Sequence, residues 1–239
     1  MKNILKISIL LLLLVSTTSC ILDGFGIQGN RNVVSEDREI SSDFEAIKVS
    51  QGITVHLTQD DHVDLSVEAD ENIIDLLITE VEGGVLKIYF EKNVSRAKSR
   101  NVYLTAKRIN SIKTSSGAYI KAKNTLKTKS ITLNSTSGSG IEAKLNAQKV
   151  DCSTSSGSNI NLSGTTNIFQ GNSSSGSHID ARDLESKIGN VKASSGAGIS
   201  VDVKDELTAR ASSGGNIHYS GNPKVVNKSK SSGGSISKR

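Results

Sequence analysis

The sequence offers few groups that could do chemistry. The densest set is Asp60, Asp61 and Asp64 beside His62, residue types that could surround a cation or supply paired carboxylates for acid–base work on a sugar. They lie between two segments of alternating apolar and polar residues, which predicts a solvated hairpin turn. The run is too short and too poor in glycine for an EF-hand loop, and no Gly-Gly-x-Gly-x-Asp calcium repeat occurs. The remaining histidines, His56, His178 and His218, show no HExxH or paired metal spacing. Serine is abundant but is attended by no Gly-x-Ser-x-Gly elbow. No catalytic set, no metal set and no cofactor is expected, so function must be sought in the surfaces that the fold presents.

Composition narrows that fold. Of 239 residues, 35% are hydrophobic but only 3% aromatic, with no Trp. A core must therefore be assembled from Val, Ile, Leu and Ala in thin layers, which disfavours most enzyme-like α/β folds. No helical heptad is sustained, and the Val and Ile of the serine-rich second half recur too regularly for disorder.

The N-terminus reads as an address. Lys2 and Lys6 precede the apolar run Ile9 to Val15, then Ser16, Thr17, Thr18 and Ser19, then Cys20. Basic, apolar and small segments in that order predict a secretory signal over residues 1–19; the apolar run is far shorter than the roughly 20 residues a spanning helix needs. A cysteine placed there resembles the lipobox of bacterial lipoproteins, which implies acylation of Cys20, a membrane contact through that lipid, and a tether over 20–38. Localisation is then the cell envelope, anchored in the outer membrane. Without residues 1–19 the formal charge is +3, with the basic residues mostly scattered, so nucleic acid is not an expected partner and a monomer is expected. Cys152 would be left without a partner; its place in the repeat described next predicts a buried thiol.

A Ser-Gly pair followed three residues after the Gly by Ile recurs seven times: Gly117 with Ile120, Gly138 with Ile141, Gly157 with Ile160, Gly176 with Ile179, Gly196 with Ile199, Gly214 with Ile217 and Gly233 with Ile236. The Gly spacings are 21, 19, 19, 20, 18 and 19, a period suited to one coil of a β-solenoid. Around each Gly, apolar residues hold alternate positions, which is strand periodicity. The fold class is therefore all-β, a right-handed parallel β-helix with coils of about 19 residues, in which the seven Ile form one internal ladder and the Gly marks the bend. In the last coil Lys228, Lys230 and Lys238 take inward positions, which predicts a self-capped end.

Residues 44–59 alternate in the same way around Gly52-Ile53, and Val63, Leu65 and Val67 follow. Asn72 to Val81 is more helix-like, and Gly83-Gly84 separates it from a strand over Val85 to Phe90. Residues 39–110 are expected to form opening coils and a cap, and 111–239 the repeats, in one continuous domain over 39–239. The order Phe44-x-x-Ile47-x-Val49-x-x-Gly52-Ile53-x-Val55-x-Leu57, then Leu86-Lys87-Ile88, then Ser-Gly-x-x-Ile coils, resembles the head GIN domain family, described as auto-transporter adhesins. The resemblance implies an exported, often lipid-anchored β-helix of Bacteroidetes-type bacteria with no established enzymatic activity, and it carries over no functional residue.

What the repeat exposes is an outward row two residues after each Gly, holding Tyr119, Asn159, His178 and Asn216, beside a second row four residues after it. Such a face could bind an envelope glycan or a surface protein by hydrogen bonds. A non-enzymatic adhesin or structural module is the leading expectation. The alternative is a carbohydrate-active enzyme, a polysaccharide lyase or hydrolase on the same scaffold, which would require carboxylates converging on one groove.

Overall fold

The computed structural model describes residues 26–239; the expected signal segment, Cys20 and the start of the tether lie outside the described residues. Strands come first in short pieces: β1 (Ile27–Gln28), β2 (Val33–Asp37), β3 (Ala46–Val49), β4 (Thr54–Gln59), β5 (Asp64–Asp70), β6 (Leu77–Glu82), β7 (Val85–Phe90), β8 (Val94–Ser95), β9 (Arg100–Ala106) and β10 (Ser111–Thr114). Five long strands follow, each bending through most of a coil: β11 (Tyr119–Ser135), β12 (Gly140–Thr154), β13 (Asn159–Ser173), β14 (His178–Ala193) and β15 (Gly198–Ala211). The last coil is built from β16 (Asn216–Ser220), β17 (Val225–Lys230) and β18 (Ser235–Lys238).

The repeats form a parallel β-solenoid. Each long strand pairs in parallel with the next, and Ile120, Ile141, Ile160, Ile179, Ile199, Ile217 and Ile236 are consecutive partners. All but the last are wholly buried. The ladder extends past the repeats, because Val55 and then Val102 stack on Ile120.

Serine and glycine share the bend. In all seven turns the Ser has φ of 47–55° and the Gly 68–76°. Two successive residues at positive φ make a tight turn of the I′ kind, which a β-branched side chain at either place would resist. The residue after the Gly donates back across the turn, as Ala118 N–H does to Ser115 O at 3.1 Å. The turns also stack, with Gly117 N–H donating to Ser137 O and Gly138 N–H to Ser156 O. Gln51 and Gly52 take the same place in the opening coil.

The interior accounts for more of the serine. Three residues before the Gly, the buried Thr114, Ser135, Thr154 and Ser173 stack on one another, joined by Ser139 and Ser177 from just after the turns. Thr154 Oγ1 donates to Ser173 Oγ at 2.9 Å, and Ser177 Oγ lies 2.9 Å from Ser173 Oγ and 3.0 Å from Thr154 Oγ1. Thr114, Ser135 and Ser139 repeat the arrangement two coils earlier. Further on the same places hold Ala193, Ala197 and Ala211, which need no partner. Gly171 leaves the space that the buried Phe169 ring fills, since a Cβ there would lie 2.9 Å from Phe169 Cε1.

The N-terminal part departs from chain order. β4 lies between β9 and β11, so residues 85–106 form a coil outside the one that precedes them in sequence. Beyond it β5 and β2 continue one face in antiparallel pairing, and β6 closes another by pairing antiparallel with β7. Two expectations are corrected here. Asn72 to Val81 is not helical beyond one 3-10 turn at Ile74–Leu76, because Gly83 and Gly84, both at positive φ, fold Leu77–Glu82 into a hairpin with β7. The acidic loop after β4 is not a hairpin turn: β4 and β5 both pair with β9, and the loop crosses its end, Asp60 N–H donating to Ala106 O at 3.1 Å.

Asp70 fastens this end. Its buried carboxylate accepts from the N–H groups of Arg31, Lys98 and Ser99, each at 2.9 Å.

Candidate functional site

Strand register decides which outward side chains can act together. Tyr119, Gly140, Asn159, His178, Gly198, Asn216 and Ser235 are consecutive partners, so the four residues expected to face a ligand stand in one row. The same register sets Lys121, Glu142, Asn161, Asp180, Ser200, His218 and Ser237 in the neighbouring row. The glycines of the first row make room for rings. A Cβ at Gly140 would lie 2.6 Å from the Tyr119 ring, and one at Gly198 would lie 2.5 Å from His178 Nδ1.

Polar contacts tie the face together. Tyr119 Oη donates to Glu142 Oε2 at 3.0 Å, and Lys121 Nζ lies 2.8 Å from Glu142 Oε1. Burial, with the carboxylate beside it, pushes the Tyr119 hydroxyl up to about 12. The Lys121 ammonium, helped by that hydroxyl, holds Glu142 below the usual carboxylate range. Asp180 is lowered chiefly by Arg182, whose Nε donates to Asp180 Oδ1 at 2.8 Å. His178 is lowered by burial against the partial opposition of Asp180.

Sequence reasoning missed the upper end of the second row. Tyr103 and His56 precede Lys121 in it, their rings stacked with centroids 4.9 Å apart and planes 20° apart. His56 is lowered chiefly by burial and then by Lys123, against the partial opposition of Glu68. A signal for His56 existed, since it stands four residues after Gly52 just as Lys121 stands four after Gly117. Tyr103 has no Ser-Gly turn before it to reveal its place.

Other candidates fall outside this face. Asp60, Asp61 and His62 are exposed on the loop crossing β9, with His62 Nδ1 3.5 Å from Asp61 Oδ1, while Asp64 has passed into β5. Cys152 is fully buried, and burial pushes its thiol up, away from the reactive thiolate.

Glu142 and Asp180 flank a shallow depression that also holds Lys144, Asn161 and Asp183. Two rungs apart, their strands are separated by roughly 10 Å. A glycosidase general acid needs its pKa raised, whereas both carboxylates are lowered by cations they already contact. The arrangement offers hydrogen bonds, charge and ring faces across successive coils.

A parallel β-solenoid with a capped N-terminal end and flat polar rows is a scaffold of repeated surface positions. The chain belongs to the family described as "Putative auto-transporter adhesin, head GIN domain", whose model matches residues 43–223. It is similar in structure to a protein described as a putative adhesin from Bacteroides fragilis, with a TM-score of 0.83 and 21% identity, covering 90% of this chain and 100% of the other. A second putative adhesin, from Parabacteroides merdae, has a TM-score of 0.76 and 20% identity over 89% and 98% of the two chains. A putative lipid binding protein from Parabacteroides distasonis has a TM-score of 0.65 and 25% identity over 89% and 99%. Among curated proteins none matches significantly. No helix among the described residues is long and apolar enough to cross a membrane.

Proposed function

We propose that this chain is an exported, lipid-anchored envelope protein that binds a glycan or surface protein through the Tyr119–Asn216 face and catalyses no reaction. The observation that carries this reading is the register of that face, in which Tyr119, Asn159, His178 and Asn216 lie on strands stacked at about 4.8 Å, a spacing that suits an extended ligand contacted at several rungs. Membership of a family described as adhesins supports it. The engaged, lowered carboxylates Glu142 and Asp180 weigh against the enzyme alternative.

The test is a panel of envelope glycans and surface proteins, scored for binding and for cleavage with the parent protein and with Tyr119→Ala and His178→Ala. Binding without cleavage that both substitutions weaken is expected; cleavage of any glycan would establish the enzyme instead. Anchoring is tested separately. Mass spectrometry of the mature protein should find acyl chains on Cys20, and Cys20→Ala should release the protein from membranes.

A further inference from the structure

Further along each coil, beyond the Tyr119 face, four stacked coils enclose a groove of about 400 Å³. Its floor is finished: Thr166 Oγ1 has Gln148 O and Ile168 O as alternative acceptors at 3.3 and 3.2 Å, and Ser186 Oγ donates to Asp202 O at 2.7 Å. Its walls are not. The amides of Asn146, Gln148 and Asn167 and the ammoniums of Lys127, Lys129 and Lys187 line it, and none of these six side chains has a partner among the described residues. The Tyr119 face is the opposite case, with Lys121, Glu142, Asp180 and Arg182 bonded to one another or to Tyr119.

Both ends of the groove are defined. At one, Gln59 Nε2 donates to Lys127 O while Lys127 N–H donates to Gln59 Oε1. At the other, the single lining carboxylate, Glu185, lies 3.5 Å from Lys204, a cation it shares with Asp202 at 2.8 Å. Lys127 and Lys129 lie on β11 and Lys187 on β14, three strand spacings or about 14 Å apart, with the amides on the coils between.

We propose that this groove binds an acidic glycan, an extended sugar chain bearing carboxylate or sulfate groups. Ammoniums at both ends take the anionic groups, and the amides between them, each able to donate and accept, take sugar hydroxyls. A polyphosphate would engage the lysines and the amide N–H groups but offers no hydroxyl to the amide carbonyl oxygens, which is why the sugar is favoured. The proposal rests on the groove alone and is independent of the Tyr119 face.

Calorimetric titration of the protein with hexagalacturonate, a chondroitin sulfate hexasaccharide, neutral maltohexaose and inorganic polyphosphate tests it. The variants are Gln148→Ala with Asn167→Ala, Lys129→Ala with Lys187→Ala, and Tyr119→Ala as the control on the other face; thermal melting of each verifies folding. Saturable binding of an acidic hexasaccharide, weakened about tenfold by each groove pair and unchanged by Tyr119→Ala, is expected, tenfold being the loss of one or two hydrogen bonds. No binding of either acidic hexasaccharide overturns the proposal, as does binding indifferent to the groove pairs. Polyphosphate binding as tight, with the amide pair without effect, reduces the groove to a charge patch and also overturns it. Loss of acidic-glycan binding through Tyr119→Ala alone would place the ligand on the other face, leaving the proposed function standing and this inference refuted.

Discussion

Lys228 holds its ammonium 4.6 Å from the centroid of the Tyr219 ring. Tyr219 is buried five residues after Gly214, and Lys228 follows Ala209 in a column that Ile112, Leu133 and Cys152 occupy earlier. Two inward columns thus meet at this end, Tyr219 following Val201 in one and Lys228 following Ala209 in the other, with the cation set against the ring. Lys230 is exposed beside it, and Lys238 donates to Asn222 Oδ1 at 2.7 Å.

Replacing Lys228, Lys230 and Lys238 together with Val should expose a continuous apolar edge, joined to Val225 and Val226, which are already 49% and 38% exposed. Unpaired backbone on such an edge favours end-to-end association. Light scattering at matched concentration should show oligomers in the triple variant that the parent lacks; a monomeric variant would mean that something other than these charges protects the end.

Ile160 lies mid-ladder between Ile141 and Ile179 and is wholly buried. Ile160→Ala should cost about 2 to 5 kcal/mol by denaturant unfolding, through lost burial and the cavity left behind. Exposed Asn161→Ala should cost within about 0.5 kcal/mol. Equal effects would contradict the inward assignment.

The hydroxyl cluster predicts an unusual order of stabilities. Ser173→Ala should cost about 1 to 3 kcal/mol, because the buried hydroxyls of Thr154 and Ser177 each lose a partner. Adding Ser177→Ala should cost less than a second equal step, since the Ala193 and Ala197 pair already serves one coil on. Additive losses would show that the cluster does not act as a unit.

Acid should destabilise the fold in two stages. His56 and His178 have folded pKa values below the unfolded value near 6.5, so the unfolded chain takes up their protons first and stability declines from about pH 6.5 downward. Asp70 is also lowered: burial alone would raise it, but the N–H groups of Ser99, Lys98 and Arg31 outweigh that effect. Its contribution is present above the unfolded value near 3.9 and is lost as pH falls through its folded pKa. Asp70→Asn should lower stability at pH 7 by about 1.5 to 3 kcal/mol and flatten the lower stage. Unchanged acid sensitivity in that variant would count against the role given to Asp70.

The repeat was legible because a solenoid writes its geometry into the sequence at fixed offsets. Ser-Gly with Ile three residues on revealed the turn, the ladder and the rows holding Tyr119, Asn159, His178 and Asn216. Chain order at the N-terminal end was not legible. β4 pairs with β9, 47 residues later, and alternation alone does not say which strand is the neighbour. The buried hydroxyl cluster was not legible for a related reason: one residue type serves the turn at Ser175 and the cluster at Ser173, and composition merges the two. The groove beside Lys187 escaped notice because only stacking of four coils creates it.

The backbone hydrogen bonds between coils run along the column, at right angles to the strands. A load applied along the column to its last coil would therefore open those bonds in succession, as a zip does, instead of shearing a whole strand at once. Each coil let go contains 18 to 21 residues and lengthens by roughly 60–75 Å when drawn out, while the coils behind it keep their register. Under tension the column behaves as an extensible link that yields coil by coil from the end that is pulled.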